Sequence, residues 1–476
     1  MQRLYIGVLN FFEKHLISKV NSKAKDIVLF VSLFLAFSTM MFFNIQEGVL
    51  FETTKIGYAE LFLINTFLLC VVILFSMNGP LEKKEWNKLV YLPFFISGIL
   101  ITLPVPGATD RLSTNCFGVL IWLIFPALYL AWSNRGDYEK LFEITAKATL
   151  LCMVLFLLVN FIFNPVIPDW TGYQGVTGNA NSIGIACVAM FTASMALIKP
   201  EGNMKYIYPL LAGTALCFAW LAASRASMLA MLMVTLAWII GFRNKGKKAL
   251  SVVLSLVLIT ASFAVLNTIT HVISSSELQK QAEELAEETA VEETATEETG
   301  EAVETDEATT DEATTDEEAE VESADPIEDD YALQKITQST DVNTASSGRV
   351  EIWKFYLSEL SLMGHAEKPV VEAHGGEVSA HNTYLEIGYR SGIIAGLLYA
   401  FVAIYSAIYS FKYIFDRKRK DNKWIFVPLA VMAFGVMSNL ERAIYPVEKI
   451  HIFMYFIALA PIIMKTGQKK GESKQD

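Results

Sequence analysis

A histidine and an asparagine stand side by side in the string HNTYLEIGYRSGIIAG, where His381 and Asn382 lead into a long apolar run. A histidine at the wet edge of such a run titrates near neutral pH and can take a proton from a hydroxyl; a structural role is the alternative. Glu386 and Arg390 follow four residues apart, in the order that favours a helical ion pair. They read either as that pair, or as a carboxylate orienting His381 beside a guanidinium that meets phosphate. Upstream, in SSGRVEIWKFYL, Arg349, Trp353 and Tyr356 recur at i, i+4 and i+7, which puts a cation and two aromatic rings on one helix face. Guanidinium forks onto phosphate oxygens, and aromatic faces pack against the C–H faces of sugars. An amphipathic helix resting on a membrane edge carries the same pattern.

Two shorter strings hold further polar groups at helix starts. VTGNANSIGIA places Thr177, Gly178, Asn179 and Asn181 where free N–H groups receive an anion or are simply capped. LAASRASMLA wedges Arg225 between two apolar segments, where an unpaired guanidinium is costly and needs an anionic partner. No acid on the same side of the membrane is evident nearby, which leaves a ligand phosphate as a candidate. His365, His374 and His381 are spaced by nine and seven, which does not align them on one helix face, and no cysteine or tight carboxylate cluster joins them. No metal and no cofactor is therefore expected. The chain has no Walker-type glycine loop, no Gly-x-Ser-x-Gly elbow and no acidic pair in a short outer loop to hold a metal-bound sugar diphosphate.

The elements that must position these residues are apolar runs. Of 476 residues, 53% are apolar, and they fall into runs of about 17 to 25, the length that crosses a bilayer core. The pattern predicts an all-α polytopic membrane protein with about twelve transmembrane helices. They start near Ile27, Tyr58, Leu89, Thr114, Ala146, Ala180, Tyr206, Ala226, Ala249, Tyr384, Trp424 and His451. The five cysteines, Cys70, Cys116, Cys152, Cys187 and Cys217, lie in or beside these runs, so no disulfide framework is visible. Ahead of the first run, Leu4, Val8, Phe11, Phe12, Leu16 and Val20 recur at helical spacing among bases, as for an uncleaved helix lying on the inner membrane surface.

Charge then sets orientation. The net charge of −12 hides a reversal, because 24 of the 50 acids lie in residues 277–330 against one lysine, leaving 26 acids against 37 bases elsewhere. With both termini cytoplasmic, 27 of the 38 bases fall on the inner side, led by Arg243 to Lys248 and Arg417 to Lys420. That divides the chain into an N-terminal membrane bundle (1–269), a long extracytoplasmic loop (270–383) and a C-terminal bundle with a cytoplasmic tail (384–476). Within the loop, residues 277–330 are a low-complexity run of Glu, Thr, Asp and Ala, expected to be disordered because too little apolar surface offsets chain entropy. The break after the ninth run, not the sixth, disfavours a transporter built of two halves.

TGNANS before one run, SRAS between two tightly joined runs, then SGRVEIW and HNTYLEIGYRSGIIAG in order resemble the O-antigen ligase and O-antigen polymerase superfamily over residues 170–399. The acidic insertion is longer than that pattern requires. The resemblance implies a GT-C-like bundle in the bacterial cytoplasmic membrane and an inverting, metal-independent glycosyltransferase. Its donor would be an undecaprenyl-diphosphate-linked glycan, its acceptor a hydroxyl on a glycan or lipid-linked carrier, and its other partners the bilayer and polysaccharide-export proteins, with no nucleic acid. Carried over residue by residue, it implies that Arg225 and Arg349 grip the diphosphate and that His381 acts on the acceptor hydroxyl, with Arg390 a further phosphate contact. Asn179, Asn181, Trp353, Asn382 and Glu386 would then support the site. Polymerase, ligase and protein O-oligosaccharyltransferase differ in acceptor, and polymerase is the expectation. From another class, a lipid-linked oligosaccharide transporter or flippase should carry charges at mid-membrane depth and repeat symmetry between halves. Here the charges collect at run ends.

Overall fold

The computed structural model describes residues 2–42, 58–108, 111–167, 172–199, 204–243, 248–298, 349–367, 369–371, 376–443 and 451–464. Its helices are α1 Gln2–His15, α2 Ser22–Phe42, α3 Tyr58–Phe75, α4 Lys88–Thr102, α5 Leu112–Val119, α6 Phe125–Arg135, α7 Tyr138–Phe163, α8 Ala180–Leu197, α9 Met204–Leu221, α10 Arg225–Gly241 and α11 Lys248–Glu298. After the next described segment begins come α12 Arg349–Ser358, α13 Thr383–Ser391, α14 Ile393–Phe415, α15 Phe426–Leu440 and α16 His451–Ile463. A two-residue antiparallel pair, β1 Val370–Val371 with β2 Gly376–Glu377, is the only ladder among the described residues. Among the described residues six helices are, by length and composition, long and apolar enough to cross a membrane, one of them formed by α5 and α6 joined through a π-helical turn at Leu120–Ile124. Five more are apolar but shorter.

Three expectations are corrected by local chemistry. The helix expected from Ala146 starts eight residues earlier, at Tyr138. Gly136, at φ 74°, closes α6, and the Asp137 carboxylate accepts from Lys140 N to open α7. The tenth run is broken. At Gly392 the backbone turns to φ 94°, and a Cβ there would collide with the Leu362 carbonyl, so the run divides into α13 and α14. These two pack closely where Gly388 meets Gly396, since a Cβ on Gly396 would come within 2.8 Å of Gly388 Cα. The acidic run is also helical at its start. The helix α11 continues through Glu298 because Glu, Ala, Leu, Gln and Lys favour helix and no Gly or Pro intervenes. Side-chain contacts such as Gln279 to Glu283 (3.1 Å) and Lys280 to Glu284 (3.9 Å) lie at helical spacing. The described helix thus takes in 277–298, the boundary at 269/270 falls inside it, and 299–348 lies outside the described residues.

The first helix is two-faced as its spacing predicts. Tyr5, Leu9 and Glu13 are buried, with Tyr5 OH donating to the Leu123 carbonyl (3.0 Å), while Leu4, Val8, Phe11, Phe12 and Leu16 are exposed.

Three helices set the frame for the site. Gly184, near the start of α8, lies against Ser224 and Ser227, so α8 and α10 begin at the same end of the bundle. Gly241, at the end of α10, lies against Ile425, just before α15 begins. α10 and α15 are therefore antiparallel neighbours of 17 and 15 residues, roughly 22–26 Å long. Asn179, Arg225 and the C-terminus of α15 consequently share one end.

Candidate functional site

At that end, the chain leaving α15 supplies Glu441, a carboxylate only 6% exposed. One of its oxygens, Oε1, accepts from Arg349 Nη2 at 2.6 Å, and the other, Oε2, meets His381 Nδ1 at 3.0 Å. Arg349 also donates through Nη1 to the Leu440 carbonyl. Burial works against ionising Glu441, but the His381 hydrogen bond and the Arg349 charge outweigh it and hold its carboxyl below the ordinary carboxylate value. With Nδ1–H donating to an ionised Glu441, a neutral His381 keeps Nε2 as an acceptor, and its side chain is 37% exposed.

The backbone is strained here. Among the described residues, two that are not glycine have clearly positive φ, His381 at 44° and Ala223 at 48°, and Ala223 lies two residues before Arg225. The strained His381 is held from both sides. Ala380 N donates to the buried Glu386 carboxylate (3.0 Å), and Asn382 Oδ1 caps α13 by accepting from Tyr384 N and Leu385 N. Asn382 Nδ2 reaches the Asn439 carbonyl (3.2 Å), tying α13 to α15.

The chain matches no family model, no curated protein and no solved structure.

The sequence-predicted residues therefore divide. His381 and Arg349 meet, but through Glu441, which the sequence reading did not single out. Glu386 does not orient the histidine ring. It accepts from Tyr356 OH (3.2 Å) and from Ala380 N, so it braces the turn that carries His381. Next to it, the Tyr356 phenol has its pKa raised by burial and by the Glu386 charge. Trp353 donates from its indole to the Ala380 carbonyl (2.8 Å), a second brace. Arg390 is 6% exposed and donates to the Ala366 carbonyl (3.2 Å), while its own carbonyl accepts from the buried Arg111. It ties the loop between α12 and α13 to the end of α13. Asn179 caps α8 by accepting from Asn181 N (2.9 Å), and Arg225 is the half-buried first residue of α10, already engaged within the chain. His365 stacks on Tyr389 at 4.2 Å, and His374 lies outside the described residues.

The signal that could have found Glu441 is NLERAIY, an acid and a base where an apolar run ends. The acid sought for Arg225 at this end of the bundle thus exists, but it is occupied by Arg349 and His381.

A cavity lies elsewhere among the described residues. About 340 Å³ opens between Phe142, Glu143, Leu197, Lys199, Asn422 and Phe426, at the end where α8 and α10 finish. Its Glu143 carboxylate is already held by Lys147 (2.6 Å) and Lys199 (2.8 Å), and no histidine lines it. The His381 end has the better claim, because it joins a half-exposed proton acceptor to an ionised carboxylate.

Proposed function

We propose that this chain is a membrane glycosyltransferase that moves a glycan from undecaprenyl diphosphate to an acceptor hydroxyl on the outer face of a bacterial cytoplasmic membrane. A surface-polysaccharide polymerase is the leading form, with ligase and protein O-oligosaccharyltransferase differing only in acceptor. The observation that carries this reading is the contact of His381 with Glu441, locked by Arg349. In this proposal the bundle crosses the membrane twelve times with both termini inside, which puts His381, Arg225 and Asn179 at the outer surface.

The proposed chemistry uses that contact. The acceptor O–H gives its proton to His381 Nε2 as its oxygen bonds to the anomeric carbon, while the bond from that carbon to the diphosphate oxygen breaks. Glu441 fixes the tautomer that leaves Nε2 free and stabilises the imidazolium that forms, as an ionised orienting carboxylate does. Diphosphate departs with its own negative charge, so the protein must supply fixed positive charge near it, for which Arg225 stands at the correct end. Arg349 serves the carboxylate instead of the donor. Attack opposite the diphosphate would invert the anomeric centre.

The test is glycan formation in membranes supplied with the lipid-linked repeat, comparing wild type with Glu441→Gln and with a deletion of residues 299–330, each checked for expression. The reading expects transfer to fall about a hundredfold in Glu441→Gln and to survive the deletion. Wild-type transfer in Glu441→Gln would remove the carboxylate from the mechanism, and wild-type protein forming no glycan above membranes that lack it would make a transporter the better account.

A further inference from the structure

The connection from α12 to α13 contains a bend at 361–364 whose sequence, SLMG, carries no charge. Its two large side chains stand outside the packing: Leu362 is 70% exposed and Met363 68%. The backbone around them, by contrast, is fastened. Ile393 N donates to the Ser361 carbonyl (2.8 Å), and His365 N donates to the Tyr389 carbonyl (2.9 Å). The Ser361 hydroxyl turns inward and donates to the Gly364 carbonyl (3.2 Å). A loop bathed in water ordinarily does the reverse, presenting polar side chains and leaving its backbone groups to solvent. Polar groups bonded internally beneath bare apolar side chains are what a lipid surface requires.

The bend also lies where the apolar surface of α14 begins. Ile394, Leu397, Ile404 and Ile408 are exposed at helical spacing, whereas Tyr399, Val402 and Ser406 are buried. One face of α14 therefore packs into the bundle, and the other is an apolar stripe on a helix long enough to cross a membrane. Ser361 is bonded to Ile393, the residue before that stripe starts, and the Leu362 carbonyl lies against Gly392. Leu362 and Met363 thus carry apolar surface past the N-terminus of α14 without a charged residue between.

Resting on the reading that α14 crosses the membrane, we infer that the 361–364 bend seats Leu362 and Met363 in the acyl region of the leaflet at the His381 end. Lipid is the occupant because the bend continues the face of α14 that lipid already covers. The bend then sets depth. It is bonded to Ile393 of α14 and, through His365, to Tyr389 of α13, and His381 stands just ahead of α13. Seating the bend in the leaflet fixes how far the histidine stands from the acyl chains.

The experiment reads depth by spin-label EPR on the full chain in liposomes of phosphatidylethanolamine and phosphatidylglycerol. Cys70, the exposed cysteine, is replaced by serine, and the four buried cysteines are kept. A nitroxide is placed singly at Met363→Cys, with Leu362→Cys as a second position should the first fail to fold. Leu397→Cys is the lipid reference. Glu284→Cys is the water reference, lying about 54 Å along α11 from Lys248, beyond a bilayer core of about 30 Å. Collisions with oxygen, which concentrates in lipid, are compared with collisions with a water-soluble nickel chelate. The oxygen-to-nickel ratio in the bend should stand several-fold above that at Glu284 and approach that at Leu397. A ratio in the bend equal to that at Glu284, with Leu397 in lipid, overturns the inference and leaves the membrane span standing. Poor access of both reagents to the bend also overturns it, because a protein partner or a second copy of the chain then covers the surface. A water-like ratio at Leu397 would bring down the span, and the inference with it.

Discussion

The two ends of the bundle both carry arginines bonded to backbone carbonyls, yet among the described residues only one end couples an arginine, through a carboxylate, to an imidazole. At the end where α10 finishes, Arg243 bonds the Ile240 carbonyl (2.6 Å) and the Ile414 carbonyl (3.2 Å), and exchanges bonds with Asn422. Arg419 lies over the Tyr413 ring at 4.0 Å and bonds the Gly241 carbonyl. These guanidiniums tie helix ends together, and among the described residues no histidine is bonded to a partner of theirs. At the opposite end Arg349 performs the same capping on Leu440, but its second arm fixes a buried carboxylate, and that carboxylate faces a strained histidine. The lesson is that an arginine bonded to carbonyls is fold architecture, and the functional signal is what its remaining donors hold.

That comparison can be broken by substitution. The largest effect is expected for Arg349→Ala, which leaves Glu441 buried without its ion pair and should cost about 3 kcal/mol of stability together with transfer activity, read from the melting temperature and product formation. Gly396→Val should come next. Its side chain would push α13 off α14 where Gly388 approaches, costing about 2 kcal/mol by thermal melting and displacing His381. Arg419→Ala, at the other end, should cost about 1 kcal/mol by the same measurement while leaving transfer per folded molecule unchanged. The smallest effect is with acid. Because the folded Glu441 carboxyl sits below its ordinary value of 4.5, its contribution to stability is complete above that pH and is lost as pH falls further, through the lowered value. Melting temperatures from about pH 6 to about pH 3 should therefore show an acid limb that flattens in Glu441→Gln.

Much of this was legible in local strings. His381, Asn382 and Arg349 stood out because each is polar at the edge of an apolar run, and helices do begin near most of the expected starts. Glu441 was not legible, because its role depends on contacts spanning 60 residues to His381 and 92 to Arg349, which no local pattern encodes. Gly392 was written in the sequence, but a single glycine in an apolar run is commonly tolerated within a helix. Only the close Leu362 carbonyl reveals why the chain turns there. Averaging the acidic run as one composition hid that its first part is built of helix formers without a breaker. For Arg390 the local spacing suggested an ion pair with Glu386, and the bond to the Ala366 carbonyl, 24 residues away, was beyond what spacing could show.

The most direct test compares two histidines in the same protein. His365 stacks on Tyr389 and has its Nε2 2.6 Å from the Glu359 carbonyl, whereas His381 has a carboxylate partner and an exposed face. Initial rates of glycan transfer from the lipid-linked repeat should fall by about 10² to 10⁴ in His381→Ala and remain near wild type in His365→Ala, at matched amounts of folded protein. Equal rates in wild type and His381→Ala would contradict the account.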